Sequence, residues 1–313
     1  MEMKKVREMM EKVGIPGTDQ YERIPSKKTF PDGANFRVEV SAVESASILK
    51  ATIDEGKKLG IPLHRVIAMC RGATLSTREQ LVEFAKVAED NGVEVIIFPG
   101  PRPAWYTGRL VSTPAGAFAG LRLRGSDNIA HYLADVMRCL EIGYKGFLVW
   151  DEGVLWMLNE MKKNGDIPED VIFKISVFAG HANPAGAKLM ESLGAGTLNP
   201  VADISIEALG AIRKVINIPM DVHIQFFDSA GGMNRMYEAA DIAYVASPVY
   251  FKMEPGPGTE MFLPWRMSDE SNAELCRFKM RCVKNIYEII QNAYIELKGS
   301  NWGPAGLRIP KTK

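Results

Sequence analysis

The chain has 313 residues, of which 46% are hydrophobic and 24% are charged, a composition that excludes disordered and fibrous proteins. The 38 Lys and Arg residues balance 38 Asp and Glu residues, so no overall basic field points to nucleic acid as a partner. The N-terminal stretch carries interspersed charges and no segment reaches about 18 consecutive apolar residues, which predicts a cytoplasmic protein without membrane contact. Neither a disulfide framework nor a zinc site is expected, because the cysteines form no CxxC pair: Cys70, Cys139, Cys276 and Cys282.

An amphipathic helix and a polar loop are predicted for residues 1–35, after which strand-like runs alternate with helical patterns. This alternation predicts parallel strands joined by helices. The eight predicted strands are Phe36–Ala42, Val66–Cys70, Val93–Phe98, Gly146–Trp150, Val171–Phe178, Gly196–Leu198, Met220–Phe227 and Ile242–Ala246. The predicted helices between and after them are Ser45–Leu59, Thr77–Asn91, Asp127–Ile142, Val154–Asn164, Ala185–Leu193, Ser205–Val215, Asn234–Ala240 and Asn272–Leu297.

Eight strand and helix pairs in roughly 260 residues are typical of a closed parallel β/α barrel, the TIM barrel, and less so of an open doubly wound sheet. The glycine-rich signatures of the Rossmann fold and of the P-loop are both absent. No linker interrupts the rhythm, so residues 1–313 are predicted to form a single domain. The loop at residues 99–126, after the third strand, is long enough to be a lid.

Polar residues follow most of the predicted strands, and in such barrels the carboxyl ends of the strands surround one pocket. His181 and His223 are catalytic candidates because imidazole exchanges protons near neutral pH, and Glu152 is the carboxylate expected to assist them. These three side chains together with Asp151 are also candidate ligands for a divalent metal. Another histidine, His64, is expected at the surface. The substrate-binding candidates are Glu44, Arg71, Arg102, Asn183, Asn199, Ser229 and Ser247.

The alternation of side chains along the strands places charged residues inside the predicted barrel. In MDVHIQFFD every second residue is apolar and must face the helices, so Asp221 and His223 point inward. The same reasoning turns Glu39 and Lys174 into the lumen. A buried lysine is either paired with a carboxylate or deprotonated. Lys174 therefore has two alternative roles, a structural ion pair with Glu39 or Asp221 and a catalytic role as a Schiff-base or general-base lysine.

The predicted lid contains arginine but no acidic residue: Arg102, Arg109, Arg122 and Arg124 lie within residues 99–126. Because the planar guanidinium group matches carboxylate and phosphate, this excess favours an anionic substrate. A solvated loop that pairs with acids elsewhere is the alternative. The glycine-containing loop after the seventh strand, DSAGGMNRMYE, is expected to offer backbone amides to the same anion.

One stretch, HANPAGAKLMESLGAGTLNPVADISIEALGAIRKVINIPMDVHI at residues 181–224, resembles the collagenase-like peptidase family U32. The shared features are an Asn-containing loop after a strand and a helix that ends in LGA before the next strand. The resemblance implies a barrel fold, a peptidase-like activity, and site positions at Asn183, His223 and the loop from Asp228. The family's cysteine-containing segment is replaced here by QFFDSAGGMNRMYE, so no iron–sulphur cluster is expected.

Three alternative functions follow from these features. The first is a barrel enzyme that acts on a small anionic substrate by acid and base catalysis, as a hydrolase or as a carbon–carbon lyase, with Arg71 and Arg102 holding the anion. The second is a noncatalytic barrel that binds an anion or serves as a scaffold. The third is an aldolase that forms a Schiff base on Lys174. Met and aromatic residues in the last helix permit a homo-oligomer.

Overall fold

The structure, a computed structural model, describes residues 3–70, 72–100, 122–263 and 265–312. Eight parallel strands pair in chain order and the last pairs with the first, which confirms the predicted closed barrel. The strands are β1 (Phe36–Val43), β2 (Arg65–Ala68), β3 (Glu94–Ile97), β4 (Gly146–Val149), β5 (Ile172–Ile175), β6 (Thr197–Leu198), β7 (Met220–Gln225) and β8 (Val249–Met253). The helices are α1 (Met3–Lys12), α2 (Ala46–Leu59), α3 (Arg78–Asp90), α4 (Gly125–Ile142), α5 (Glu152–Lys163), α6 (Pro184–Ser192), α7 (Ile206–Val215), α8 (Ala239–Ala246) and α9 (Asp269–Ala293).

Most helices begin where a short polar side chain accepts a hydrogen bond from a backbone N–H group of the first turn. Thr77 and Gln80 form a capping box at the start of α3, in which each side chain binds the backbone N–H of the other. Glycines in the left-handed conformation end α2 and α4, namely Gly60 and Gly143. Single side-chain caps begin α2, α5, α6, α7 and α9: Ser45, Asp151, Asn183, Ser205 and Ser268.

Gly143 is the more constrained of the two terminal glycines. Its φ is 111°, and an added Cβ would lie 1.7 Å from the carbonyl oxygen of Lys311. Nothing lies within 4 Å of a Cβ built on Gly60, where φ is 69°. We expect Gly143→Ala to lower the free energy of unfolding by about 2–4 kcal/mol, because steric overlap adds to the backbone cost. Gly60→Ala carries only the backbone cost of about 1 kcal/mol. If urea unfolding gave the same loss of unfolding free energy for both variants, the contact of Gly143 with Lys311 would be contradicted.

The eighth strand lies further along the chain than predicted. Residues 242–246 belong to α8, and β8 starts at Val249. Both segments are short and largely buried, and periodicity alone does not distinguish a buried helix from a buried strand of this length. The alanine-rich AADIAYVA favours a helix, Pro248 prevents its continuation, and VYFKM has the aromatic and β-branched residues of a strand. The helix predicted at 234–240 is a 3-10 turn, Met236–Glu238, followed by the first residues of α8.

The last helix, α9, covers the barrel beside α2. Its buried side packs on α2 and β1 and consists of residues at helical spacing. The opposite side is exposed and carries ion pairs, among them Arg277 and Arg281 with Glu274. Within the described ranges, no helix is both long and apolar enough to cross a membrane. The buried residues of α9 include Cys276, Lys279, Met280, Val283, Ile286 and Ile290.

Residues 298–312, here called the C-terminal tail, cross the amino-terminal end of the barrel. Arg37 on β1 donates a hydrogen bond of 2.7 Å to the carbonyl oxygen of Ala305. Glu94 on β3 accepts one of 2.7 Å from the backbone N–H of Arg308. Both side chains point into the barrel and are 1% exposed, so the tail supplies hydrogen-bond partners to the base of the lumen.

His64 lies beneath this tail and is fully buried, so its predicted surface position is wrong. Its Nδ1 accepts a hydrogen bond of 2.9 Å from the backbone N–H of Val38. Its Nε2 lies 3.1 Å from the carbonyl oxygen of Ser300, which assigns the ring proton to Nε2. The tail contact that buries His64 is more than 230 residues away in sequence, and no local pattern signals it.

Candidate active site

Charged side chains fill the lumen below the mouth of the barrel, where the mouth is the end at which the strands finish. Arg65 binds three carboxylates: Glu94, Glu39 at 3.2 Å and Asp221 at 2.8 Å. Lys174 Nζ lies 3.1 Å from Glu39 and 2.5 Å from Asp221. These five side chains are at most 1% exposed, so the cost of removing each charge from water is offset by its partners. The predicted inward orientation of Glu39, Lys174 and Asp221 is confirmed.

The ion-pair role predicted for Lys174 is confirmed by these distances. Burial lowers the pKa of Lys174, and the carboxylates of Asp221 and Glu39 oppose that change. A carbonyl substrate would have to displace both carboxylates and enter a fully buried position to reach Nζ. The geometry therefore favours the structural role of Lys174 over the Schiff-base role.

Four polar residues form a second network nearer the mouth, which we call the Glu254 network: Asn199, His223, Lys252 and Glu254. Glu254 Oε2 lies 2.9 Å from His223 Nε2 and 3.3 Å from Lys252 Nζ. Asn199 links His223 and Lys252, because its Nδ2 lies 3.3 Å from His223 Nδ1 and its Oδ1 lies 3.3 Å from Lys252 Nζ. All four residues are buried, and they come from the ends of β6, β7 and β8.

Burial and the Lys252 ammonium group set the protonation states of this network. Burial lowers the pKa of His223 to about 4, with a further contribution from Lys252, so the imidazole is neutral at pH 7. Burial alone would raise the pKa of Glu254, but Lys252 and the hydrogen bond from His223 lower it to about 2. Both contacts of Glu254 use Oε2. Oε1 takes part in neither contact.

Both nitrogens of His223 are occupied. Because Glu254 is a carboxylate, Nε2 carries the proton and donates it, and Nδ1 accepts a hydrogen bond from Asn199. This arrangement suits His223 for orienting Glu254 more than for moving protons itself. Sequence reasoning missed Lys252 and Glu254, although they alternate with apolar residues in VYFKME. The predicted eighth strand, Ile242–Ala246, ends before them, so their alternation falls outside any predicted strand.

A separate cluster lies at the rim of the mouth. Arg122 forms two hydrogen bonds with Glu152, the second of them 3.2 Å long, and His181 Nε2 lies 3.3 Å from Glu152 Oε1. Burial lowers the pKa of His181, and Glu152 opposes the change. The predicted contact between Glu152 and His181 is thus present, while Arg122 is already paired with an acid. Arg71 and Arg102, predicted to bind the anion, lie outside the described residues, as does most of the predicted lid.

The four candidate metal ligands are divided between two places. Glu152 and His181 lie in the rim cluster, and His223 lies in the Glu254 network. Asp151 also lies beside the rim cluster, with its Oδ2 3.8 Å from Arg122 Nη1, while its Oδ1 caps α5 by accepting hydrogen bonds of 3.0 and 3.3 Å from two backbone N–H groups. In the ranges that the structure describes, no three His, Cys, Asp or Glu side chains are grouped to hold a metal ion.

Two predicted substrate-binding residues are held by backbone N–H groups. Glu44, which follows β1, is buried and accepts a hydrogen bond of 3.1 Å from the N–H of Cys70. Asn183 caps α6 by accepting a hydrogen bond of 2.9 Å from the N–H of Gly186. Both residues lie on the mouth side of the barrel, where these bonds fix the loops after β1 and β5.

The prediction that the loop after β7 offers its amides to an anion is wrong. The N–H of Asp228 donates to the carbonyl oxygen of Gly256 at 2.8 Å, and that of Ser229 donates to Pro257 at 3.2 Å. The amides of residues 230–232 bind carbonyl groups inside the same loop. The loop is therefore tied to the segment that follows β8, and the exposed Ser229 side chain remains as its candidate ligand group.

Ser247 is a further correction, because it precedes β8 and lies at the amino-terminal end of the barrel. Its hydroxyl donates to the carbonyl oxygen of Ala243, and its own carbonyl oxygen accepts from Ser26. Ser247 is fully buried by these contacts. It therefore cannot contact a substrate at the mouth.

The two buried histidines should make the fold sensitive to acid. Burial lowers the pKa of His64 and of His223 from 6.5 to about 4. Between these values the unfolded chain binds protons that the folded chain does not, so the free energy of unfolding falls as the pH falls, by at most about 1.4 kcal/mol per pH unit for each histidine. We expect a lower urea midpoint at about pH 5.5 than at about pH 7.5. His64→Gln should reduce that difference, and an unchanged difference would contradict the burial of His64.

No family model and no curated protein sequence matches the chain. Solved structures that resemble it include the YdjI aldolase of Escherichia coli K12, at 12% identity over 82% of this chain and 90% of that chain, with a TM-score of 0.44. A U32 peptidase matches at 15% identity over 74% and 98%, with a TM-score of 0.42. A truncated 3-deoxy-D-arabino-heptulosonate 7-phosphate synthase of Thermotoga maritima matches at 14% over 85% and 90%, with a TM-score of 0.46. Identities this low say nothing about activity, and the resemblance of residues 181–224 to family U32 extends no further than the barrel fold.

Proposed function

We propose that the chain is an enzyme that moves a proton at the mouth of the barrel, with Glu254 as the acid–base group. The observation that carries the proposal is the position of this carboxylate, which is fixed by His223 at 2.9 Å and Lys252 at 3.3 Å through one oxygen only. Glu254 follows β8 directly, and the carboxyl ends of the strands are where barrel enzymes place their catalytic groups.

The charge of the substrate decides how strong a base Glu254 is. A pKa of about 2 makes the carboxylate a weak base in the resting protein. An anionic substrate beside Lys252 would compete for the ammonium group and repel the carboxylate, and both effects raise the pKa of Glu254. This coupling supports a small substrate with a carboxylate or phosphate group, as does the arginine content of residues 99–126.

The reaction class is either cleavage of a carbon–carbon bond or hydrolysis. In the first, Glu254 removes a proton from a carbon or hydroxyl group of the substrate; in the second, it removes a proton from water. In both, His223 orients the carboxylate and Asn199 holds the imidazole of His223. His181 at the rim is the second candidate for proton transfer, because it is neutral at pH 7 and more exposed than His223.

A noncatalytic anion-binding barrel is the second candidate function. This function is favoured by the pairing of charges in the lumen, where each charged side chain that we describe has a partner of opposite charge. Such a network can hold a barrel together without chemistry. The two candidates differ in one observable, which is whether a bound ligand changes.

Proton NMR in D2O tests both candidates at once. The protein is incubated with a panel of small 2-oxo acids, 2-hydroxy acids, sugar phosphates and acidic peptides. The proposal predicts that at least one compound loses a C–H signal by exchange with solvent or gives new resonances by cleavage. Saturation transfer to a compound that stays unchanged would instead establish a binding protein. A panel that shows neither binding nor conversion would overturn the anionic substrate class.

A further inference from the structure

A cleft with a volume of about 210 Å³ lies outside the barrel, between residues 20–28 and the ends of α7 and α8. Four of its lining residues are basic: Lys27, Lys28, Arg213 and Lys214. None of its lining residues is acidic. We call it the Arg213 cleft. Arg213 contacts the residues that precede β7 and β8, so the cleft lies at the amino-terminal end of the barrel, away from the Glu254 network.

Arg213 is 4% exposed, and its described hydrogen bonds all go to backbone carbonyl oxygens. Its Nη2 donates hydrogen bonds to the carbonyl oxygens of Ile216 at 2.8 Å and Ile218 at 2.6 Å. Its Nε is buried and has no hydrogen-bond partner among the described residues. Burial lowers the pKa of Arg213 to about 10, which leaves it charged at pH 7. A buried charged donor without an acceptor is costly, and it indicates a missing water or anion.

Lys28 adds a second positive charge at the same place. Its Nζ donates to the carbonyl oxygens of Ile216 at 2.6 Å and Arg213 at 3.2 Å. Burial lowers the pKa of Lys28, and the charge of Arg213 lowers it further. The acid that influences both cations is Glu191, whose Oε1 accepts hydrogen bonds from two backbone N–H groups. Arg213 and Lys28 therefore share the influence of this one carboxylate.

We propose that the Arg213 cleft binds a small oxyanion, with Arg213 Nε and Lys28 Nζ as inner donors and Lys27 and Lys214 as outer cations. A phosphate or carboxylate group would supply the acceptor that Nε lacks and would separate the two repelling charges. The anion would also connect residues 20–28 to the ends of α7 and α8. The inference does not depend on the proposed enzymatic function, because no residue of the Glu254 network takes part.

Inorganic phosphate is the first probe, measured by thermal unfolding and titration calorimetry at constant ionic strength with chloride as the reference. We expect phosphate to raise the midpoint in a saturable way beyond the effect of chloride. Lys28→Met should weaken phosphate binding at least about tenfold. The double variant Lys27→Met/Lys214→Met should weaken phosphate binding by a similar factor without affecting the fold. Lys50→Met, which removes an exposed lysine elsewhere, is the matched control and should bind like the unaltered protein.

Two outcomes overturn the proposal: a phosphate effect no larger than that of chloride, or one that all of these variants retain. In the second case the anion binds elsewhere, for example at the mouth. Arg213→Lys keeps the charge but removes Nε, and this variant should also weaken phosphate binding. Because the contacts of Arg213 with Ile216 and Ile218 affect folding, the Arg213→Lys variant is the one that can fail to fold. In that case the double variant of the exposed Lys27 and Lys214 decides the test. Acetate and glycerol phosphate, titrated in parallel, distinguish a carboxylate ligand from a phosphate ester.

Discussion

Replacing Glu254 by glutamine should lower the rate of proton transfer by about 10²–10⁴-fold, the usual contribution of a positioned acid–base group. The amide has nearly the same shape and still accepts the hydrogen bond from His223, which lies 2.9 Å from Oε2. It cannot accept a proton from the substrate. The measurement is the exchange or cleavage rate by proton NMR with whichever panel compound the unaltered protein converts, at matched protein concentration and with the unfolding midpoint recorded.

Glu152→Gln provides the matched comparison at the rim cluster. Glu152 contacts Arg122 and His181 rather than the Glu254 network, so this variant should lower the rate by less than about tenfold. The reverse result, a severe loss in Glu152→Gln and a mild one in Glu254→Gln, would place the chemistry at the rim. His181→Gln then separates the two cases further, since only a catalytic rim requires its imidazole.

Lys174→Met should lower the free energy of unfolding by about 3–5 kcal/mol, which is the cost of breaking a buried ion pair by removing one partner. Methionine fills a similar volume but leaves Asp221 with Arg65, and Glu39 with Arg65 and the more distant Lys252 at 3.8 Å. Urea unfolding gives the value directly. A loss below about 1 kcal/mol would show that water or protonation relieves the two carboxylates, and would contradict the packed lumen described above.

The double variant Lys174→Met/Asp221→Asn tests whether the cost comes from the uncompensated carboxylate. Asparagine removes one negative charge 2.5 Å from the lost ammonium group. The double variant should therefore be more stable than the sum of the two single losses predicts, by about 1–3 kcal/mol. Additive losses would mean that the two residues act independently in the folded state.

The barrel could be predicted because its signals are local. Strand alternation in MDVHIQFFD and FRVEVSA determines which side chains enter the lumen, and the contacts of Glu39, Lys174 and Asp221 follow from that alone. Helix caps such as Thr77 and Ser205 are also visible as sequence patterns. In these places local propensity and tertiary structure agree.

The candidate site was predicted only in part, because its remaining signals are nonlocal. A buried Ala-rich helix resembled a strand, and this moved the expected end of β8 away from Glu254 and toward Ser247. Hydrogen bonds between the loops after β7 and β8 use the amides of Asp228 and Ser229, which the sequence predicted to be free for an anion. The partners of Arg122 and His64 depend likewise on segments far away in the chain.

The C-terminal tail has a consequence for the chemistry at the other end of the molecule. Arg37 and Glu94 at the base of the lumen form hydrogen bonds with the backbone of the tail. Glu94 also forms an ion pair with Arg65, and Arg65 forms another with Glu39. Glu39 in turn lies 3.8 Å from Lys252. The tail thus covers part of the base beside a row of charges whose attraction grows as the local dielectric constant falls. Solvent admitted at the base would weaken every pair in that row, including the one that sets the basicity of Glu254.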